Sequence, residues 1–513
     1  MIRTRIQIAA GSAAASAILL AAALHVTAAV AAVSADEAAH LGKDLTPVGA
    51  TRAGNADGSI PEWTGASNFS DEQKHLTRAK LSELREKVLK LTPDEVKQAY
   101  AGGFAGSNTL DGVPAKPPYD FPPALAKIYQ AEKAQLDKSD RPKLVITKAN
   151  MAQYADKLSE GHKALLKQYA DYRLIVYPTV RTAFFPDAIN AATLKNATSA
   201  QLQGTDGVVG AATGFPFPIP KSGAEVIWNH KLKFRGSAVQ RFNDQAIVKP
   251  DGSVNLTKIV EDVKFKYANL KEPPAADNKI FAFYLSRVIA PPRVAGQITL
   301  VQEPFIGNRV AYIFDPGLGR VNRAPDVGYD NPNVGTDGEQ FTDQVDTFNG
   351  ALDRYNWKLV GKKEMYIPYN SYTINAPAPL VSYKQLLLPG HINQNLARYE
   401  LHRVWVVDAT LKDGVRHSFK RRTFYVDEDS WSIVAVDCYD NHNILWKFQE
   451  GHLLTAPFIP TTTAIPEIIY DLQSRRYFTT AMINENTEII NFEASYADSH
   501  FDPASLKRMA QNH

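Results

Sequence analysis

The stretch that decides the fold runs from residue 399 to residue 449. It reads YELHRVWVVDAT (399–410), LKDGVRH (411–417), SFKRRTFYV (418–426), DEDSWS (427–432), IVAVDCY (433–439), DNHN (440–443) and ILWKFQ (444–449). Segments rich in Val, Ile, Phe, Tyr, Trp and Thr alternate with short polar breaks, which is typical of strands joined by turns. Strands with such short connections must be antiparallel, because a parallel return needs a dozen or more residues. The stretch therefore predicts the centre of one large antiparallel sheet.

Segments of the same composition precede this stretch and extend the predicted sheet. They are residues 172–177, 225–234, 280–289, 296–302 and 309–314. A sheet of this size cannot leave both faces bare, so it must close, pack on another sheet, or hold helices and ligand on one face.

The region before residue 172 is predicted to be mainly helical. Apolar residues recur every three to five positions over residues 71–101, and Thr92-Pro93 begins a second helix with an N-cap and a first-turn proline. Further helices are predicted over residues 124–136 and 149–169. We divide the chain into a mainly helical region 36–171 and a sheet region 172–513, and expect the two to form one compact unit.

The first 35 residues have the composition of a secretory signal peptide. Arg3 and Arg5 precede an Ala-rich apolar run without acidic residues, and Val33-Ser34-Ala35 supplies the small side chains that signal peptidase requires. The run is long enough to span a bilayer, so a retained anchor is the alternative. Its weak hydrophobicity favours cleavage after Ala35, and we expect a soluble protein in the periplasm.

Charge and cysteine content exclude several classes of protein. The formal charge of +3 falls to +1 when Arg3 and Arg5 leave with the signal peptide, which is too little to attract nucleic acid. Basic residues cluster at 416–422, where an ordinary solvated strand edge explains them. Cys438 is the only cysteine, so no intramolecular disulfide can form.

The chain carries no strong catalytic or metal-binding motif. The sequences G-x-S-x-G, H-E-x-x-H and G-x-x-x-x-G-K-[ST] do not occur. The C-terminal histidines lack the close spacing of metal ligands, so no metal and no cofactor is predicted. They are His391, His402, His417, His442 and His452. Asp343 and Asp346 could serve as a general acid and base, which keeps an enzyme open as an alternative.

Aromatic residues provide the candidate binding site. Alternating prolines in GFPFPIP (214–220) hold two apolar side chains in an extended rod, which could form a flap at a cavity mouth or a brace leading into a strand. Tryptophans lie in or near the predicted strands, where they could be core residues or the lining of an apolar concavity. The predicted ligand-binding residues are Phe217, Ile219, Trp228, Trp357, Trp405 and Trp446.

Several ordered motifs resemble a known family. They are LGKDLTPVG (41–49), GNADG (54–58) with Trp63, the proline rod ending in WNH (228–230), and the block from DRY (353–355) to YN (369–370). This pattern is similar to domain of unknown function 1329, a proteobacterial family often labelled outer-membrane lipoprotein-sorting protein. The resemblance implies an α+β fold similar to the periplasmic lipoprotein carrier of the Lol pathway, in which helices cover an antiparallel half-barrel.

The resemblance also implies a function. A hydrophobic molecule, a lipid or lipoprotein acyl chains, would be bound and shuttled between the inner and outer membrane without catalysis and with transient membrane contact. An inner-membrane exporter of the resistance-nodulation-division type and an outer-membrane protein would be partners. The alternatives are a periplasmic enzyme acting on a lipid or polyester-like substrate through Asp343 and Asp346, and a ligand-free accessory of such an exporter.

Overall fold

A computed structural model of the 513-residue chain describes residues 33–104, 109–110, 113–114, 142–272, 278–324 and 328–511. The predicted signal peptide up to residue 32 and the predicted helix 124–136 lie outside this part. The predicted cleavage point after Ala35 falls within a short helix capped by Ser34. Each helix in the described part is too short or too polar to cross a bilayer.

The N-terminal region is partly helical. Its elements are α1 (Ala35–Ala38), a 3₁₀ turn (Gly65–Asn68), α2 (Asp71–Lys74), α3 (Arg78–Leu89), α4 (Pro93–Phe104), β1 (Thr109–Leu110), β2 (Val113–Pro114), β3 (Leu144–Ile146), a 3₁₀ helix (Met151–Lys157) and α5 (Glu160–Gln168). The helix predicted over residues 149–169 is interrupted, because Ser159 is extended and caps α5 by accepting a hydrogen bond from the His162 amide.

The rest of the chain contains most of the strands. In chain order these elements are β4 (Leu174–Val176), α6 (Asp187–Ser199), β5 (Gln201–Leu202), β6 (Val208–Val209), α7 (Gly223–Lys231), β7 (Ala238–Val248), β8 (Val254–Lys264), β9 (Ile280–Ala290), β10 (Ile298–Pro304), β11 (Val310–Asp315), β12 (Arg320–Ala324), β13 (Tyr355–Pro368), α8 (Tyr383–Leu386), β14 (Tyr399–Leu411), β15 (Arg421–Asp427), β16 (Ile433–Tyr439), β17 (Leu445–Ala456), β18 (Thr461–Asp471), β19 (Tyr477–Met482) and α9 (Pro503–Gln511). Short 3₁₀ turns are Thr342–Gln344, Thr373–Asn375 and Asp498–Phe501.

Fifteen strands form one sheet. Its main order is β13-β14-β15-β16-β17-β18-β19-β7-β8-β9-β10-β11-β12, with β4 and β3 attached beside β14. Neighbours pair antiparallel except β4 and β14, which run parallel at Val176 and Tyr399. The predicted hairpins from β14 to β17 are confirmed.

The sheet is open and curls into a half-barrel. Strands β12 and β13 lie at opposite ends of the order, and no pairing joins them within the described residues. Buried Val263 on β8 and Phe281 on β9 nevertheless share one hydrophobic cluster with Tyr355 on β13 and Phe424 on β15. Since these strands are far apart in the sheet, they meet only because the sheet turns them toward a common concave interior.

Helices cover both faces. On the convex face α5 packs on β16 and β17, and α9 packs on β10 to β12, where Leu506 joins a cluster with Leu285 and Phe314. On the concave face α7 packs on β13 and β14. On both sides of the predicted boundary at 171/172 the chain contributes to one sheet, because β3 pairs with β4.

The strand predicted over residues 225–234 is wrong: most of this segment is helix α7. Ser222 and Glu225 form a capping box, in which each side chain accepts a hydrogen bond from the other residue's backbone amide. Every residue of α7 is buried. Its apolar residues therefore show no helical period, and a short fully buried helix is easily mistaken for a buried strand.

Candidate ligand-binding site

The half-barrel contains two neighbouring cavities on its concave side. The first has a volume of about 240 Å³ and lies at the turn between β17 and β18, next to the start of β7. Its lining is mostly apolar and comes from α3, β7, the β17–β18 turn and the C-terminal segment 483–492. Apolar side chains in it include Leu81, Leu84, Val239, Leu454, Phe458, Ile465, Ile489 and Phe492.

The second cavity has a volume of about 330 Å³ and lies over β7 to β11. Alternate residues of each strand line it, as expected when one face of a sheet points inward. Examples are Thr257 and Ile259 on β8, Tyr284, Ser286 and Val288 on β9, and Thr299 and Val301 on β10. The segment 331–349 closes the opposite side. This cavity is the more polar of the two, because many of its inward side chains are hydroxyls and amides.

Arg235, Arg241 and Phe265 line both cavities and form their shared wall. The Arg235 guanidinium lies 4.8 Å from the centre of the Phe265 ring and pairs with Asp346. The Nε of Arg241 lies 2.9 Å from the Glu261 carboxylate, which faces it directly across the β7–β8 pair. Two cations thus stand at the boundary between an apolar and a polar space.

A buried ionic group lies behind this wall. The Lys233 ammonium is 3.0 Å from Asp346 and, like Arg235, holds the pKa of that carboxyl below its usual value despite burial. Burial lowers the pKa of His230 to about 3, with nearby Lys233 adding to the effect, so this imidazole is neutral. Burial also raises the pKa of Glu467 to about 7, and the Asp346 charge adds to that rise. Together with the Arg241–Glu261 pair, the group contains three cations and, near neutral pH, at most three anions: Lys233, Arg235 and Arg241 against Asp346, Glu261 and Glu467.

Helix α3 and the C-terminal segment close the first cavity. Arg85 of α3 donates hydrogen bonds to the backbone carbonyl oxygens of Ile483 at 2.5 Å and Asn486 at 2.7 Å. Leu81 and Leu84, from the same helix, face the cavity. The helix predicted from the sequence near residue 80 therefore acts as a cover, which the Arg85 side chain and the Arg78 amide attach to the C-terminal segment beside it.

The predicted binding residues lie mainly in one cluster beside these cavities. Phe217, Trp228 and Trp357 are buried in the core between α7 and the sheet, Trp405 and Trp446 pack against its edge, and Ile219 lies apart with Leu41 and Ala197. None of the six is among the residues lining the two cavities. Their role in ligand binding stays a prediction.

Asp343 and Asp346, the residues of the enzyme alternative, pair with different cations. Asp343 is buried and contacts Arg422 at 2.7 Å and His417 at 3.0 Å. Asp346 lines the second cavity, but its depressed pKa makes its carboxylate a weak proton acceptor. These contacts are those of structural ion pairs, and they give the enzyme alternative no support.

Three buried groups come within 4.8 Å of one another in a pattern that could hold a metal: His402, Asp427 and Asp429. Both oxygens of Asp429 already accept hydrogen bonds from Arg181, at 2.6 and 2.8 Å. Asp427 accepts hydrogen bonds from the amide and hydroxyl of Ser430. Arg181 thus occupies both oxygens of Asp429 and braces the β15–β16 turn, while Oδ1 of Asp427 has no hydrogen-bond partner in the described part of the chain.

The sequence reading missed the arginines of the shared wall. Arg241 and Glu261 sit in segments rich in polar and charged residues, QRFNDQ (240–245) and VEDVK (260–264), and such segments resemble solvent-exposed strands. The available signal was the pair itself, since opposite charges on facing strands favour one register. The sequence does not show whether this pair faces solvent or the interior, because only the curl of the whole sheet turns this face inward.

Comparison with known proteins places the chain in a family. The model of the family described as a protein of unknown function (DUF1329) matches residues 145–507. The uncharacterized protein PA3922 of Pseudomonas aeruginosa is 39% identical over 496 residues, which cover 96% of this chain and 97% of that protein.

Two solved structures were also matched. A DUF1329 family protein from Desulfovibrio piger has 13% identity and a TM-score of 0.39, over 55% of this chain and 97% of that one. The LolA superfamily protein NE2245 from Nitrosomonas europaea has 10% identity and a TM-score of 0.34, over 55% of this chain and 98% of that one. On the family model and the Pseudomonas relative, the chain belongs to the DUF1329 family.

Proposed function

We propose that this protein binds a lipid or a similarly hydrophobic molecule in the interior of its half-barrel and carries it through the periplasm. The observation that supports this proposal is the pair of cavities on the concave face, which share a wall at Arg235, Arg241 and Phe265. Together their volumes fall within the range of small-molecule sites. A mostly apolar lining with a few placed polar groups is typical of such sites.

Hydrophobic burial is sufficient for this task without covalent chemistry. Each methylene of an alkyl chain moved from water into an apolar cavity contributes about 0.8 kcal/mol. Ten buried methylenes would contribute about 8 kcal/mol, which corresponds to micromolar affinity before the cost of ordering the chain is subtracted. Such affinity allows a carrier both to load and to release.

Release requires the cover of the first cavity to move. Polar contacts that hold α3 beside this cavity include hydrogen bonds from the Arg85 side chain to carbonyl oxygens of the segment 483–486 and one from the Arg78 amide to Glu493. Opening the cavity would break these bonds and expose the buried Leu84 and Val88 of α3. An inner-membrane exporter and an outer-membrane protein remain proposed partners at the two ends of the route, and the periplasm remains the proposed location.

The aromatic residues predicted from the sequence keep a proposed role. Trp228 packs edge-on against Phe281, which lines the second cavity, with ring centres 6.3 Å apart. Trp228 would therefore shape the cavity through Phe281. Phe217, Ile219, Trp357, Trp405 and Trp446 are proposed to support the same interior from further away, and a Trp228→Leu variant that loads normally would remove this role.

The test of the proposal is to identify what the protein carries. The full chain is expressed with its own N-terminus in a Gram-negative host, purified from the periplasm without detergent, and extracted with organic solvent. Mass spectrometry is expected to find a lipid or other hydrophobic compound at near one molecule per protein. Protein recovered without any such compound, yet bound to an exporter, would favour the ligand-free accessory.

A matched pair of variants tests whether the first cavity holds the bound ligand. Thr463 lines the first cavity, so Thr463→Trp should fill it and abolish loading. Ile444→Trp adds the same indole at an exposed turn and should load normally. Thermal unfolding would verify that both variants are folded. Equal loading of the two folded variants would argue against this cavity as the site.

A further inference from the structure

The shared wall between the cavities carries positively charged groups whose hydrogen-bond donors are not all paired within the protein. Arg241 has one ion-pair contact, in which its Nε lies 2.9 Å from Glu261, and its terminal amino groups form no hydrogen bond within the described part of the chain. Its side chain is 33% exposed. A guanidinium offers five donors, so most of the donor capacity of Arg241 faces the cavity space.

The acidic groups near this wall already have partners, including Glu467, whose carboxylate accepts a hydrogen bond from the Thr347 amide at 2.8 Å. Glu261 also accepts a hydrogen bond from the Tyr284 hydroxyl at 2.7 Å. Asp346 is shared between Arg235 and Lys233, and Glu303 contacts Arg309 at 3.1 Å. Glu488, the acidic residue in the lining of the first cavity, belongs to the C-terminal segment and not to the shared wall. An incoming anion would therefore meet donors that these carboxylates do not occupy.

The difference in polarity between the two cavities indicates how a ligand would be oriented in them. The first cavity is lined mainly by apolar side chains, whereas hydroxyls and amides line much of the second. Resting on the proposed function, we infer that the ligand is a single-chain amphiphile with an anionic head group, its alkyl chain in the first cavity and its carboxylate or phosphate on Arg241 and Arg235. Arginine suits this position because its planar fork binds carboxylate and phosphate in pairs of hydrogen bonds.

Three C16 probes test the inference on the full chain after bound material has been exchanged onto a hydrophobic resin. Equilibrium dialysis below the micelle-forming concentration would compare hexadecanoic acid, monohexadecyl phosphate and 1-hexadecanol at pH 8. At least one anionic probe is expected to bind roughly tenfold or more tightly than the alcohol. Whichever anion binds more tightly identifies the head group as carboxylate or phosphate.

Variants locate the head group. Arg241→Gln should weaken binding of the preferred anion roughly tenfold more than it weakens binding of 1-hexadecanol, while Arg241→Lys should retain part of the preference. Arg320→Gln removes a charge from exposed β12 and should change neither affinity. If Arg241→Gln does not fold, the Arg241→Gln/Glu261→Gln pair removes both partners and serves instead.

The outcomes separate this inference from the proposed function. Equal affinity for acid, phosphate and alcohol would overturn the anionic head group and leave a carrier of apolar molecules. An anion preference that survives Arg241→Gln at full strength would overturn the assignment to this wall. Failure of all three probes to bind would overturn the alkyl-chain carrier and the inference together.

Discussion

The two halves of the curled sheet treat their concave faces differently. In the filled half, β13 to β16, helix α7 lies directly on the strands. A Cβ added at Gly223 would be only 2.7 Å from Cγ1 of Val407 and 3.0 Å from the backbone carbon of Trp357. In the hollow half, β7 to β11, inward side chains such as Ile259 and Val301 border the second cavity.

The buried charges of the two halves differ in the same way. In the filled half, Arg422 is almost completely buried, pairs with Asp343 at 2.7 Å, and lies 4.6 Å from the centre of the Tyr355 ring. In the hollow half, Arg241 pairs with Glu261 but keeps a third of its side chain open. The comparison teaches that Arg422 is enclosed where helix α7 fills the concave face, whereas Arg241 keeps part of its surface open where no helix fills it.

The same substitution in both halves should therefore have unequal effects. Arg422→Met leaves the Asp343 carboxylate buried without its main partner, which should lower the free energy of unfolding by about 3–5 kcal/mol. Arg241→Met should lower it by less, about 1–2 kcal/mol, because a third of the Arg241 side chain is open and Glu261 keeps the hydrogen bond from the Tyr284 hydroxyl. Chemical denaturation of both variants measures the difference.

An Asp343→Asn/Arg422→Met double variant is the control, because it removes both charges. It should recover part of the loss caused by Arg422→Met alone. Equal losses for Arg422→Met and Arg241→Met would show that both arginines are structural, and the distinction between the halves would fail.

The filled half was the easier one to predict from sequence. The strands β14 to β16 alternate with short polar turns, so both the strands and their antiparallel pairing followed from composition and loop length. The helix that fills the concave face of this half was harder to predict. Helix α7 is buried on all sides, so only the capping pair of Ser222 and Glu225 indicated a helix.

The hollow half and its site could not be derived in the same way. Arg241 and Glu261 lie on strands whose polar composition suggests a surface, and a cavity lined by such residues exists only because the whole sheet curls. The predicted ligand-binding residues could be core or cavity lining; Phe217, Trp228 and Trp357 are buried in the filled core, and the role of all six in ligand binding stays a prediction. Curvature is a property of many strands together, and no short motif encodes it.

The pH dependence of stability tests the charge balance of the hollow half. Burial raises the pKa of Glu467 to about 7 from 4.5, with Asp346 adding to the rise and Lys233 and Arg241 opposing it. Between these two values the folded state binds more protons at this group than the unfolded state, so its contribution is present below pH 4.5 and is lost as the pH rises through 7.

Glu467→Gln should remove this dependence. Relative to the variant, the unchanged protein should lose about 2–3 kcal/mol of unfolding free energy between pH 4.5 and pH 8. The amide oxygen of the glutamine can still accept the hydrogen bond from Thr347 N, which lies 2.8 Å from Glu467. Denaturation curves at several pH values provide the measurement, and parallel curves for the two proteins would show that Glu467 ionises normally.

The smallest expected effect comes from adding methyl groups, one set in the filled half and one in the hollow half. Gly223→Ala should lower the unfolding free energy by about 1–2 kcal/mol, because the new methyl group meets Val407 and the β13 backbone, which cannot both move away. Ala311→Val on β11 adds two methyl groups where the side chain borders the second cavity, so it should be neutral or slightly stabilising. Gly328→Ala, whose added Cβ would come no closer than 3.5 Å to its neighbours, controls for the glycine replacement itself. A cost at Ala311 as large as the cost at Gly223 would mean that side chains fill the hollow half in solution, and the space needed for an alkyl chain would be absent.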